Sequence, residues 1–182
     1  MQLCYLSRAD IRDLKRDLRI LVATNGTLTR VLEVITGEEI AVEIIDQRTH
    51  PTSLDFPEFR GPAIGSVVQR RIRLVGERSG TPYVAAESLI AEDDLPTDVR
   101  RILAETERPI GEVMLASGME TFKEAAEVWL ANVPYWARAD DKRGAPVVAR
   151  RYRTIAANVP IMSITEYFLC GTRTPGQRNS GR

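Results

Sequence analysis

Apolar residues along this chain switch between two spacings, and each switch marks an element. Ile11, Leu14, Leu18, Leu21 and Val22 recur at helical spacing behind Ser7 and Asp10, which suit an N-cap and its acidic third residue. The spacing predicts a helix from Arg8 to Ala23, stopping at Asn25-Gly26. A shorter helix, capped by Thr27, runs through Val31 to Ile35 and closes at Gly37. From Glu39 to Arg48 the pattern alternates, with Ile40, Val42 and Ile44 on one face of a strand. Val67–Val75 and Pro82–Ile90 predict a hairpin across Gly76 to Gly80, and Val147–Ala156 and Ile161–Leu169 predict a second across Asn158-Val159-Pro160. Between them, Pro96 and Asp98 open a helix over Leu95 to Ala104. Met119 to Leu130 fits a helix through Phe122, Ala126 and Trp129 and fits a strand at its ends, so periodicity leaves both open. Thr49 to Gly65, with Pro51, Pro57, Gly61 and Pro62, reads as a long loop of the kind that serves as a lid. Hairpins interspersed with helices predict an α+β domain built on an antiparallel sheet. It is expected to span residues 1–170, followed by a disordered tail over 171–182 that lacks large apolar residues.

Two charges interrupt otherwise apolar strand faces. In the run Ile161 to Leu169, Glu166 shares its face with Met162, Ile164 and Phe168. In the run Val67 to Val75, Arg70 shares its face with Val68, Ile72 and Leu74, whereas Arg71 and Arg73 fall on the polar side. A charge turned into a core costs several kcal/mol, roughly, unless it is paired or meets a ligand. The pattern therefore leaves two readings open: Arg70 and Glu166 neutralise each other, or they line an enclosed polar site.

Composition narrows the chemistry. Lys+Arg and Asp+Glu are both 25, so no net field draws the chain to nucleic acid or an acidic membrane. The start reaches charge at Arg8, too early for a signal-peptide core, and no apolar run is long enough to cross a bilayer; the cytoplasm is the expected compartment. Cys4 and Cys170 form no CxxC pair and fit free thiols in a reducing compartment. His50, the single histidine, lies in the Pro-flanked stretch Thr49-His50-Pro51 and reads as a solvated loop residue. That argues against zinc and against Ser-His-Asp or Cys-His catalysis.

Several separate stretches, in order, resemble the chorismate pyruvate-lyase family and in particular its actinobacterial branch. They are Asp17 to Leu21 through Asn25 to Arg30, Gln69-Arg70, Val84 to Ile90, Pro109 to Met114, Glu120 to Glu124, Ala149 to Arg153 and Pro160 to Leu169. Against the lyases of ubiquinone biosynthesis, the family's arginine in a Leu-Arg-Glu-Ile context lands on Arg70, its Pro-Leu-Gly turn on Pro109-Ile110-Gly111, and its Thr-Glu-Leu-Phe glutamate on Glu166. The turn here carries Ile110, and Arg71 follows the arginine where the family has glutamate.

The resemblance implies a chorismate lyase-like fold, an antiparallel sheet covered by helices with Met119 to Leu130 as a strand, and conversion of chorismate to 4-hydroxybenzoate and pyruvate without metal or redox cofactor. It assigns Arg70 to the carboxylate and ether end of the substrate and Glu166 to the ring hydroxyl, as the catalytic pair. The backbone amides of Leu28 and Ile110 would hold the ring carboxylate. Arg151, Arg153 and Glu87 are expected to be solvated or paired charges outside the catalytic set. The ligands implied are chorismate and 4-hydroxybenzoate; a monomer is compatible, and neither nucleic acid nor membrane is expected as a partner. Two other readings remain: an aromatic-acid binding module, since the same fold serves as the ligand domain of some transcription regulators, and a chorismate-using enzyme with another product. A regulator is disfavoured by the short stretch before Ser7 and by the lack of a basic recognition helix.

Overall fold

The computed structural model describes residues 3–51, 59, 65–106, 108–124, 126–138 and 145–169. Its strands are β1 (Cys4–Tyr5), β2 (Ile40–Pro51), β3 (Ser66–Gly76), β4 (Pro82–Ala91), β5 (Phe122–Lys123), β6 (Glu127–Ala131), β7 (Val147–Ala156) and β8 (Val159–Phe168). The helices are α1 (Arg8–Asp13), α2 (Arg16–Ala23), α3 (Leu28–Thr36), α4 (Thr97–Glu105) and α5 (Ile110–Ala116). The strands form one antiparallel sheet in the order β1-β6-β7-β8-β4-β3-β2, with β5 also on β7.

Alternation decides which face of this sheet is covered. On one face, Ile72, Leu74, Val84, Ala86, Val128, Val148 and Phe168 pack with α2 and α3. Farther along the strands on the same face, Ile90, Tyr152, Met162 and Ile164 pack with α4 and α5. The opposite face carries Arg71, Arg73, Glu87, Arg151 and Arg153, engaged in ion pairs near solvent, as expected for an antiparallel sheet with one covered face.

The expected cap at Ser7 is present: Asp10 N–H donates to Ser7 Oγ at 3.2 Å while Ser7 N–H donates to Asp10 Oδ2 at 2.7 Å. The predicted first helix, however, is two helices. Leu14 and Lys15 are extended (ψ 156° and 147°), and this break lets Leu14 enter the core alongside Leu18, Leu21 and Val22. α3 follows Thr27 as expected and ends at Gly37, whose φ of 71° is the left-handed conformation glycine adopts without strain; the Thr27 side chain makes no capping bond.

Strand β2 continues through Thr49, His50 and Pro51, which pair with Val68, Val67 and Ser66. His50 is therefore a strand residue, with its ring nitrogen 3.2 Å from Gln69 Oε1, and not a solvated loop residue. Pro51 is tolerated because β2 lies at the sheet edge, where a missing N–H leaves no ladder bond broken. The rest of the proposed lid, apart from Phe59 and Gly65, lies outside the described residues, as do Cys170 and the tail. Phe59 is buried against Val67 and Ala91. The second hairpin turns at Ala157-Asn158, both at positive φ (46° and 68°), so Val159 and Pro160 already belong to β8. Within residues 119–130 the described backbone is strand only at β5 and β6, which bears out in part the strand that the resemblance implied and leaves no helix there among the described residues.

Candidate functional site

Two cross-strand rows on the covered face bring the inward charges into one region. The first row runs Arg70, Ser88, Ile164, Tyr152 across β3, β4, β8 and β7. The next runs Ile72, Ala86, Glu166, Arg150 across the same four strands. Arg70 and Glu166 thus share a face but stand two strands and one residue pair apart, about 12 Å between Cα atoms from ordinary sheet spacings. The two apolar clusters meet between these rows, so the charged groups occupy the seam under the helices.

Glu166 is 4% exposed, and its cation is Arg150, itself 2% exposed, with Nε 2.5 Å from Glu166 Oε2. No ion pair joins Glu166 to Arg70 among the described residues, so the reading in which those two neutralise each other does not hold. Alternation along Val148, Arg150, Tyr152 and Thr154 was the signal for Arg150 in the sequence, masked there by Arg151 and Arg153 on the other parity. Arg150 Nη1 donates to the carbonyls of Leu21, Val22 and Thr24 at 2.8–2.9 Å. These carbonyls close the last turn of α2, where helical partners run out and a cation is favoured. One buried arginine therefore ties the end of α2 to β8.

Tyr152 completes the cluster by donating its hydroxyl to Glu166 Oε1 at 3.2 Å. Burial, reinforced by the Glu166 charge, pushes the Tyr152 phenol well above its usual range, so it remains a donor. A carboxylate offers about four acceptor positions. Arg150 and Tyr152 use two of them, which leaves Glu166 able to accept from a ligand hydroxyl.

Arg70, 1% exposed, directs Nη2 toward the carbonyls of Thr106 and Arg108, each at 3.4 Å, just before α5. A cavity of about 500 Å3 is lined by Thr27, Ile110, Met114, Lys123, Tyr152 and Ile164, among others; of the expected site residues Ile110 lines it, whereas Arg70, Glu166 and Leu28 do not, and Tyr152 and Ile164 are its members from the first row. Its size suits a small ligand, and its walls mix apolar side chains such as Met114, Met162 and Ile164 with polar ones such as Thr27, Glu120 and Lys123. Leu28 and Ile110 are the first residues of α3 and α5. The two helix starts abut, since a Cβ added to Gly111 would lie 3.6 Å from Thr27 Cγ2. Amides in a helix's first turn lack intrahelical acceptors and are available to an anion.

Other candidates fall away from this region. Glu87 accepts from Arg71 Nε at 2.7 Å and from Gln69, Arg151 pairs with Glu127 at 3.0 Å, and Arg153 with Glu124 at 2.7 Å. A second cavity of about 590 Å3 on the opposite face is bordered by Glu87, Trp129, Arg151 and Tyr167. Among the described residues no cluster of three or more His, Cys, Asp or Glu is placed to hold a metal ion. No helix of the described residues is long and apolar enough to cross a membrane.

The family model described as chorismate pyruvate-lyase Rv2949c-like matches residues 22–173, a span that contains Arg70, Arg150 and Glu166. The chain belongs to this family. A chorismate pyruvate-lyase of Mycobacterium leprae is 51% identical over 166 residues, covering 90% of this chain and 79% of that one. A chorismate pyruvate-lyase of Mycobacterium tuberculosis is 48% identical over 171 residues, covering 91% and 86%. In fold, the chain is similar to the effector domain of PhnF from Mycobacterium smegmatis, with TM-score 0.59 at 13% identity over 79% of this chain and 88% of that domain. That likeness concerns the fold alone.

Proposed function

We propose that this protein is a lyase that converts chorismate to 4-hydroxybenzoate and pyruvate, with Arg70 and Glu166 as its catalytic groups. The observation that carries the reading is a buried carboxylate with acceptor capacity to spare, bonded to Tyr152 of a cavity wall, in a chain 51% identical to a chorismate pyruvate-lyase.

The reaction is internally balanced. The ether carbon–oxygen bond breaks with its electron pair leaving on the enolpyruvyl oxygen, the ring carbon bearing the hydroxyl loses its hydrogen, and the ring becomes aromatic. The enolate takes a proton at its methylene carbon and becomes pyruvate. No electron is gained or lost overall, so the protein's task is orientation and stabilisation of charge on the departing oxygen. Glu166, held rigidly by Arg150 and Tyr152, accepts from the ring hydroxyl and orients the carbon that loses hydrogen. Arg70 offers a permanently charged planar donor set to the enolpyruvyl carboxylate and ether oxygen. The amides of Leu28 and Ile110 hold the ring carboxylate at the abutting helix starts, and Ile164 and Met114 supply apolar walls for the ring.

The balanced charge of the chain fits small-molecule ligands rather than nucleic acid. Incubation of chelator-treated protein with chorismate, with products separated by mass and ultraviolet absorbance, is expected to yield 4-hydroxybenzoate and pyruvate in equal amounts. Binding of 4-hydroxybenzoate without turnover would instead indicate a binding module, and a different aromatic product another chorismate enzyme.

A further inference from the structure

Lys123 is, with Glu120, one of two charged residues of the cavity wall, and neither the reaction nor the sequence pattern gives it a task. It sits on the two-residue strand β5, opposite Thr154 of β7, and its ammonium reaches into the same space as Thr27, Ile110 and Met114. Nζ donates to the Gly26 carbonyl at 3.3 Å and lies 4.7 Å from the centre of the Tyr152 ring. Gly26 directly precedes Thr27 and the start of α3, so this contact fastens β5 to the segment that carries the Leu28 amide.

The ring of Tyr152 thus has two cations near it, Lys123 at 4.7 Å and Arg150 at 5.3 Å from its centre, and its hydroxyl donates to Glu166. Lys123 and Glu120 are the two charged residues lining the cavity, so the attraction for a ligand carboxylate comes from the position of the Lys123 ammonium and not from a net positive charge. Arg150 Nη2 is buried and has no hydrogen-bond partner among the described residues, which adds to the local demand for an anion. An ammonium carries three donors, of which the Gly26 carbonyl occupies one and the Tyr152 ring faces another, leaving one for the cavity. Burial also holds the Lys123 proton affinity below the usual lysine range, a penalty that a bound carboxylate relieves.

We propose that Lys123 is a substrate-binding residue that pairs with the ring carboxylate, joining the Leu28 and Ile110 amides, and so selects aromatic acids over their neutral analogues. The assignment rests on the lyase reading. It is tested by calorimetric titration of 4-hydroxybenzoate and of its neutral analogue 4-hydroxybenzamide into wild type, Lys123→Met and Lys123→Gln.

Wild type is expected to prefer the acid. Lys123→Met should weaken the acid by roughly tenfold or more, as for loss of a charge-assisted bond, while changing the amide by less than about threefold. The Michaelis constant for chorismate should rise with kcat held within a few fold, the mark of lost binding that is uniform across the reaction. Equal weakening of acid and amide, or no weakening of either, would overturn the assignment of Lys123 while leaving the lyase reading intact. Should Lys123→Met fold poorly, the same comparison with Lys123→Gln, which retains a donor for Gly26, decides the question. A wild-type protein that neither binds the acid nor consumes chorismate would overturn the lyase reading and this inference with it.

Discussion

Arg150 is the cation that holds Glu166, with Nε 2.5 Å from Oε2 in a setting where both side chains are almost wholly shielded from water. Arg150 also donates to the last carbonyls of α2, so the pair couples β8 to the helix layer. This geometry separates stability from activity among the buried charges. Arg150→Met leaves the Glu166 carboxylate buried without its cation and also strips the α2 carbonyls, a change expected to cost about 3–5 kcal/mol. Replacing both, as in Arg150→Met with Glu166→Leu, should recover part of that loss in denaturant titrations without recovering turnover. A double variant less stable than Arg150→Met alone would contradict the pairing.

Glu166→Gln keeps the shape and leaves Arg150 its contacts with α2. Folded protein with chorismate turnover lowered by roughly two or more orders of magnitude is expected, as for loss of a principal electrostatic group. The folded state is checked by circular dichroism and the rate by release of 4-hydroxybenzoate.

The role given to the backbone can be tested without touching a charge. Leu28 is the first residue of α3, where proline fits helical geometry, and Thr27 before it is already extended (φ −69°, ψ 115°) as a residue preceding proline prefers. Leu28→Pro therefore removes an amide donor while leaving the helix start in place. Affinity for 4-hydroxybenzoate should fall about ten- to a hundredfold, the value of a hydrogen bond to a charged group. An unchanged dissociation constant in a folded variant would remove Leu28 from the site.

Alkaline stability follows from Tyr152, whose phenol is raised above its ordinary value of 10.0 by burial and then by the Glu166 charge. Above that pH the unfolded chain releases the proton while the folded chain keeps it. The contribution is present in full below pH 10 or so and is lost as pH rises toward the folded value. Tyr167 is raised in the same direction, again first by burial. Tyr152→Phe should accordingly flatten part of the decline above about pH 10 in thermal or urea unfolding, leaving the remainder to Tyr167. An identical alkaline slope in wild type and Tyr152→Phe would contradict the burial argument.

Alternation made the sheet readable in the sequence: β3, β4, β7 and β8 fall where period-two patterning put them, and Arg70 and Glu166 both face inward as their parity required. What alternation does not carry is which charge meets which. Arg150 stands in a run with Arg151 and Arg153, and only the register of β7 on β8 places it opposite Glu166. The break at Leu14-Lys15 has neither glycine nor proline to announce it, and comes from the burial of Leu14 in the tertiary core. At the second hairpin, Asn158 and Pro160 pointed to a turn one residue late, because an alanine at positive φ is not a local preference. The cavity joins residues from the segment before α3 and from α5, β5, β7 and β8, and no local pattern relates segments so far apart in sequence.

The central claim is that Arg70 and Glu166, set apart on one face of the sheet, act together on chorismate. The most direct measurement is chorismate turnover by chelator-treated wild type alongside folded Arg70→Met and Glu166→Gln, with both products quantified. The account predicts equimolar 4-hydroxybenzoate and pyruvate from wild type and a loss of roughly two or more orders of magnitude in each variant. Near-normal turnover by either folded variant, or a wild type that leaves chorismate unchanged, would contradict it.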